Sequence, residues 1–164
     1  MTKIFCLEMI FSLMLVGCAG KEPTISATLN REAFVTGEFL ANPLQWRVIT
    51  SNASTTDETM STLFGNDAAV NYARTNAQHD YPNGSTLAMV TWTQQEDGRW
   101  YGAQIPAAVK SVEFVFVGAT PDGKPSYSYQ KFAGSPLKQS FAQEYPVASD
   151  RALELLSLRA AVMP

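Results

Sequence analysis

The chain has 164 residues and a formal net charge of −3, and 46% of its residues are hydrophobic. That length and hydrophobic content suit one folded domain with its own core. The acidic balance and the lack of any Lys/Arg cluster argue against nucleic-acid binding, which depends on neutralising phosphates.

The N-terminal residues have the pattern of a short lipoprotein signal peptide. Lys3 supplies a positive charge, and residues 9–16 form an apolar run that leads to Cys18. The run is much shorter than the roughly 20 apolar residues of a membrane-spanning helix. The segment Leu-Val-Gly-Cys at 15–18 matches the bacterial lipobox, whose cysteine carries lipid and becomes the mature N-terminus. Cleavage near Gly20 as an ordinary secreted protein, or a buried Cys18, are the alternatives.

These features predict three parts: a signal peptide over 1–17, a lipidated tether over 18–28 and a folded domain over 29–164. Cys6 lies in the part that is removed and Cys18 takes the lipid, so no thiol is left for a disulfide. No acidic residue directly follows Cys18. We therefore expect a lipoprotein on the periplasmic side, anchored in the outer membrane.

The apolar periodicity of the domain predicts an α+β fold, with a central antiparallel β-sheet and flanking helices at both ends. Asn30 can cap a first helix that ends before Pro43. Apolar and polar residues then alternate over 44–48, which indicates a half-buried strand. The polar residues 51–58 are typical of a loop.

Turn and cap residues mark the next elements. Residues 60–64 are predicted to be a short strand, after which Gly65 provides a turn. Asn66 then caps a helix over 67–76, because its small apolar side chains recur with helical spacing.

Three further strands are predicted at 87–93, 110–117 and 126–132. The turn before the last of them is Thr-Pro-Asp-Gly at 120–123, with Pro and Gly at favourable positions. A final amphipathic helix begins at Ser149 or Asp150.

Short motifs occur in a characteristic order along these elements. They are Trp46, Phe-Gly-Asn-Asp-Ala-Ala-Val at 64–70, Pro-Asn-Gly-Ser at 82–85 leading to Trp92, and Val-Glu-Phe at 112–114. In this order they resemble the cytochrome P-460 family, which includes cytochrome c′-beta. The resemblance implies a periplasmic haem c fold.

The resemblance also shows what this sequence lacks, since the family's Cys-x-x-Cys-His motif has no counterpart. Ser140 and Gln143 stand at the positions of the two cysteines, and Glu144 stands at that of the axial histidine. A hydroxyl and an amide cannot bond to haem vinyl groups, and a carboxylate is a much poorer iron ligand than imidazole. Met89 falls near the lysine that cross-links to the porphyrin in hydroxylamine-oxidising members. The sequence therefore predicts a relative of the family that has no haem and no other cofactor. We do not expect it to be an oxidoreductase.

A binding or interaction module is the function class that we expect. Its partner would be a small apolar ligand in the pocket vacated by haem, or a second copy of the chain, since members of the family are commonly dimers. The alternative is a haem-dependent oxidoreductase or gas-binding protein that holds haem without covalent bonds.

Metal ligands are scarce in this sequence. His79 is the single histidine, and a lone histidine in a loop is far more often solvated than a ligand. Zinc sites usually need three or four Cys or His ligands. The loop carboxylates lack the spacing of an EF-hand; they are Asp57, Glu58, Asp67 and Asp80. We expect no metal site.

Six residues are candidates for lining the vacated pocket: Trp92, Glu113, Phe114, Phe116, Tyr127 and Tyr129. Glu113 could be a general acid or base inside a pocket. The period of two places it opposite Phe114 and Phe116, so we expect it on the solvent side. One aromatic set either lines a cavity or packs to close it: Trp92, Trp100, Tyr101, Tyr127 and Tyr129. Packing is favoured, since an unfilled cavity is destabilising by about 24 cal/mol per Å³.

Overall fold

The computed structural model describes residues 30–39, 41–75, 80–140 and 148–161. Several residues singled out by the sequence lie outside these ranges: Cys18 with its tether, His79, Gln143 and Glu144. Predictions about their surroundings stay predictions.

A six-stranded antiparallel sheet, with its strands in chain order, forms the centre of the fold. The strands are β1 (Arg47–Ser54), β2 (Thr59–Gly65), β3 (Thr86–Glu96), β4 (Gln104–Ala119), β5 (Pro125–Ala133) and β6 (Lys138–Ser140). Helix α1 (Asp67–Thr75) lies between β2 and β3, and helix α2 (Ala148–Ser157) follows β6 in the chain. The predicted α+β class with a central antiparallel sheet is confirmed.

One side of the sheet, here called the helical face, packs against both helices. Leu63, Leu87 and Val115 point to this side from three neighbouring strands and are fully buried. They pack in one cluster with Val70 of α1 and Leu155 of α2. Burial of each such side chain stabilises the fold by about 1.5 to 3 kcal/mol, so the sheet holds both short helices in place.

The other side, here called the aromatic face, is covered by the N-terminal segment 30–46. The predicted first helix is wrong, because the described residues of this segment form two short 3-10 turns, Arg31–Ala33 and Pro43–Gln45. Thr36 and Gly37 lie between the turns, and both residue types have low helix propensity. Phe34 after the first turn is extended, and the segment packs on the sheet through Val35 and Phe39.

Side chains of the N-terminal segment hold it on the sheet. Val35 is buried in a cluster with Val90, Val112 and Phe132 from the strands. The indole N–H of Trp92 donates a hydrogen bond of 2.9 Å to the carbonyl of Ala33. The hydrogen bond from Trp92 and the burial of Val35 therefore hold this segment on the sheet without the predicted helix.

The first hairpin also differs from the prediction. The strand begins at Arg47 instead of Leu44, and it continues to Ser54 through half of the predicted polar loop. Ser51 lies on an edge strand, and its hydroxyl shares a hydrogen bond of 3.0 Å with that of Thr62 on β2. Polar residues are tolerated here because an edge strand can be solvated on both faces. The sequence of such a strand therefore lacks the alternation of apolar and polar residues that predicts a half-buried strand.

The predicted cap at Asn66 is confirmed. Its side-chain oxygen accepts hydrogen bonds from the backbone N–H of Ala69 at 3.0 Å and of Thr86 at 3.2 Å. Its side-chain N–H donates to the carbonyl of Gly84 at 2.8 Å. One side chain thus caps α1 and joins it to the start of β3.

The turn between β4 and β5 is also confirmed. Gly123 has a φ of +76°, a conformation that suits glycine, and its N–H donates to the Thr120 carbonyl at 2.8 Å. Neither helix in the described ranges is long and apolar enough to cross a membrane.

Candidate functional site

The six predicted pocket residues are divided between the two faces of the sheet, so they do not line one pocket. Trp92, Phe114 and Phe116 lie on the aromatic face. Glu113, Tyr127 and Tyr129 lie on the helical face, where their strand partners also point. Met89 is paired with Glu113 across β3 and β4 and shares that side. Strict alternation along each strand causes the division.

An apolar cavity of about 630 Å³ opens on the aromatic face. Its apolar lining consists of Phe39, Ala41, Trp46, Phe114, Phe116 and Phe132. The volume lies within the usual range of small-molecule sites, which are mostly apolar with a few polar groups. This cavity is the candidate ligand site of the described fold.

Phe114 lies at the centre of the aromatic wall. Its ring is nearly parallel to that of Phe116, with centroids 6.0 Å apart. Trp46 and Phe132 meet it edge to face, at 6.2 and 5.9 Å. Phe39 lies close to the Phe132 ring, at 4.9 Å. Such arrangements are favourable for aromatic pairs, so the wall has a defined shape onto which a flat apolar molecule could pack.

The polar part of the lining is small and includes a single charge among the described residues. It consists of Glu38, Thr86, Gln130 and Gln139. These side chains offer a carboxylate, a hydroxyl and two amides, whereas haem iron is held by imidazole, thiolate, thioether or phenolate. The described lining therefore does not fit an iron porphyrin ligated from the cavity wall.

Of the three residues at the positions of the family's Cys-x-x-Cys-His motif, Ser140 is the one that the structure describes. It is the exposed last residue of β6 and is paired with Lys131. Its neighbour Gln139 is paired with Phe132 and reaches the cavity on the aromatic face. Ser140 itself therefore lies on the side of β6 away from the cavity.

Glu113 is buried, which corrects the prediction that it faces solvent. Its relative exposure is 4%, because α2 covers the side of β4 opposite the phenylalanines. Arg151 of α2 binds both carboxylate oxygens, with Nε to Oε1 at 3.0 Å and Nη2 to Oε2 at 2.8 Å. The Tyr129 hydroxyl donates to the same carboxylate.

The environment of Glu113 keeps it ionised. Burial is the largest single influence and opposes ionisation, but the hydrogen bonds from Arg151 and Tyr129, together with the positive charges of Arg151 and Lys131, outweigh it, so the pKa of Glu113 is lowered. The hydrogen bond to Glu113 raises the pKa of Arg151. A carboxylate with a lowered pKa and occupied oxygens is a poor general base. Glu113 instead has a structural role, because its ion pair with Arg151 joins the sheet to α2.

Sequence reasoning missed Arg151 as the partner of Glu113. The available signal was weak: Arg151 precedes Ala152 and Leu155, which are both buried on the sheet side of α2. A cation beside the apolar stripe of a helix indicates a carboxylate on the surface that the stripe covers. Arg151 also contacts Glu154 on the helix, at 2.7 Å.

The remaining aromatic predictions have mixed outcomes. Trp92 packs in the core of the aromatic face, as favoured, and Tyr127 lies partly exposed on the other side of the sheet. Trp100 and Tyr101 are neither packed nor part of the cavity, because they lie exposed in the turn between β3 and β4. Packing therefore occurs around Trp92, while the phenylalanine wall stays open to a cavity.

The acidic side chains of the described ranges do not gather into a cation site. In the part of the chain that the structure describes, no three His, Cys, Asp or Glu residues come close enough to hold a metal ion. Asp67 instead lies 3.7 Å from Arg47. Asp57 accepts a hydrogen bond from Ser54, which stabilises the turn between β1 and β2.

A family model for cytochrome P-460 matches residues 44–146. The matched region is more than half of the chain and contains all six strands and α1. It leaves out most of the N-terminal segment, with Phe39, and also α2, with Arg151. A comparison with curated proteins found no match.

Proposed function

Since the chain belongs to the cytochrome P-460 family, we propose that it is a membrane-anchored lipoprotein whose domain binds a small apolar ligand without covalent haem. The observation that carries this proposal is the cavity of about 630 Å³ with its phenylalanine wall. Ser140, Gln143 and Glu144 support the absence of covalent haem, because none of them can replace a thioether cysteine or an axial histidine.

The chemistry of the cavity defines what it would hold. Burial of apolar surface contributes about 25 cal/mol per Å², and a well-placed aromatic pair adds about 0.5 to 1.5 kcal/mol. Phe114 is buried, and the half-buried ring of Phe116 that stacks on it is the one of the pair that a flat ligand would contact. Gln130 and Gln139 can each donate or accept a hydrogen bond at the rim, so a ligand with one or two polar groups would be oriented there.

Titration with N-phenylnaphthylamine, a neutral aromatic probe that fluoresces in apolar surroundings, tests the site. We expect the wild-type protein to bind one probe molecule per chain. Gln139→Trp should abolish most of this binding, because the indole would fill the cavity that Gln139 borders. Ser140→Trp is the matched control, since Ser140 is the neighbouring exposed residue on the other side of β6. Equal binding by both variants, or none by the wild type, would refute the site.

Family membership favours a second candidate, a haem-dependent oxidoreductase or gas-binding protein with non-covalent haem. The described cavity lining argues against it, since it offers no strong iron ligand. We expect the protein, purified after expression with haem available, to show no Soret band. A band corresponding to one haem per chain would establish the second candidate in place of the first.

The membrane anchor of the proposal is Cys18. A cysteine at the end of a lipobox carries the lipid, and the 18–28 tether would then connect the bilayer to the domain. We place the domain on the periplasmic side of the outer membrane.

A further inference from the structure

The turn between β3 and β4 exposes two large aromatic side chains side by side. Trp100 is 70% exposed and Tyr101 is fully exposed. Their backbone is held in shape, because the Asp97 N–H donates to the Ala103 carbonyl at 2.9 Å and the Ala103 N–H donates to the Trp100 carbonyl at 3.0 Å. Gly102 completes the turn with a φ of +76°. An ordered turn thus presents both rings to the surroundings.

The two charges within the turn itself neutralise each other. Arg99 pairs with Asp97 at 3.2 Å, and the Asp97 carboxylate also accepts the Arg99 backbone N–H at 2.9 Å. Glu96, the last residue of β3, adds one negative charge beside the turn. The turn residues 97–103 therefore have no net charge that would oppose contact with a lipid surface.

The N-terminal end of the described chain lies beside this hairpin. The side-chain N–H of Asn30 donates to the carbonyl of Pro106 on β4. Pro106 is only two residues from Gln104, where the hairpin turn ends and β4 begins, which corresponds to about 7 Å along a strand. Cys18 lies twelve residues before Asn30. A chain of that length reaches at most about 40 Å, roughly the diameter of a domain of this size, so an anchor at Cys18 leaves the hairpin end within reach of the bilayer.

From this placement we propose that the hairpin tip is a second membrane contact, in which Trp100 and Tyr101 enter the interfacial layer of the bilayer that holds Cys18. The inference rests on the lipid anchor of the proposed function. Trp and Tyr are enriched at this depth, because each has an apolar ring and a polar group that stays hydrated. The tether makes the contact intramolecular, with effective concentrations in the millimolar range, so a weak contact is sufficient.

The size of the patch favours lipid over a protein partner. A stable protein interface buries about 800 Å² on each partner, far more than two side chains at a hairpin tip can supply. Two amphipathic rings on a protruding turn can enter a bilayer without such an area. The contact would orient the domain, with the hairpin end toward the membrane.

Fluorescence quenching tests the contact in the lipidated full-length protein. The protein is reconstituted into vesicles of phosphatidylethanolamine and phosphatidylglycerol that carry a nitroxide-labelled lipid. We expect the nitroxide to quench part of the tryptophan emission of the wild type. This quenching should be absent in Trp100→Phe and reduced in Tyr101→Ser. Both positions are exposed, so neither substitution should disturb the fold, and Trp46 and Trp92 provide a constant background. The Cys18→Ser variant tests the anchor separately. Because this variant cannot be lipidated, it should leave the membrane fraction.

The outcomes separate the two proposals. A wild-type protein that floats with the vesicles without quenching of Trp100 would overturn the hairpin contact and leave the anchor intact. A Cys18→Ser variant that floats as well as the wild type would overturn the anchor, and the hairpin contact with it. Acrylamide quenching distinguishes lipid from a protein partner. If Trp100 is shielded from acrylamide on native membranes but not on vesicles that contain no other protein, the tip contacts a protein partner. That result would also overturn the lipid contact.

Discussion

Arg151→Met is expected to lower the free energy of unfolding by about 3 kcal/mol or more at neutral pH. The substitution leaves the Glu113 carboxylate buried without the guanidinium that binds both of its oxygens. Arg151 is itself 26% exposed, which favours the lower end of the usual range for a broken buried pair. Urea denaturation monitored by circular dichroism gives the free energies to compare.

The pH dependence of this loss follows from the lowered pKa of Glu113. An ionised carboxylate with a lowered pKa stabilises the fold at every pH above its usual value of about 4.3, and this contribution disappears as the pH falls through the lowered value. The difference between wild type and Arg151→Met should therefore narrow in acid.

Two further variants make the Arg151 prediction specific. Glu113→Gln combined with Arg151→Met should recover most of the loss, because it removes the uncompensated charge and keeps an acceptor for Tyr129. Arg159→Met replaces an exposed arginine beyond α2 and should change the stability by no more than about 0.5 kcal/mol. Equal losses in Arg151→Met and Arg159→Met would contradict the role of the pair.

Phe114→Ala is expected to lower the free energy of unfolding by about 3 to 5 kcal/mol. Phe114 is 3% exposed and contacts the rings of Phe39, Trp46, Phe116 and Phe132, so its loss would open a hole in the aromatic wall. Thermal and urea unfolding measure the effect. Phe34→Ala is the control, because Phe34 is half exposed and its loss should matter little.

Ligand binding should also change the stability of the protein. A ligand present at a hundred times its dissociation constant stabilises the folded state by about 2.7 kcal/mol. N-phenylnaphthylamine should therefore raise the unfolding temperature of the wild type, and it should raise that of Gln139→Trp much less. A probe that stabilises both proteins equally would be bound elsewhere than in the cavity.

Local chemistry allowed much of the fold to be predicted from the sequence. Asn66 was identified as a cap and Gly123 as a turn residue, because each acts on its immediate neighbours. Phe114 and Phe116 were placed on one face by alternation alone, and the cavity confirms that they share a side. The prediction of a helix between Asn30 and Pro43 failed, because the conformation of this segment depends on packing against the sheet instead of on helix propensity.

The candidate site was harder to predict, because its parts come from distant positions in the chain. Glu113 was correctly placed opposite the phenylalanines, but that side was assumed to face solvent. Nothing near Glu113 in the sequence indicates that α2 covers it, since Arg151 is 38 residues away. Phe39 was overlooked for a similar reason, because it reaches the cavity from a segment that was predicted to be a helix.

The two faces of the sheet are covered by opposite ends of the described chain. The N-terminal segment is held by the hydrogen bond between Ala33 and Trp92, which are 59 residues apart. Helix α2 is held by the contact between Arg151 and Glu113, which are 38 residues apart. A polypeptide emerging with its N-terminus first can complete neither layer until nearly all of it is available. Shortened or stalled chains would display bare phenylalanines and an unpaired carboxylate, which makes them natural targets for chaperones and proteases.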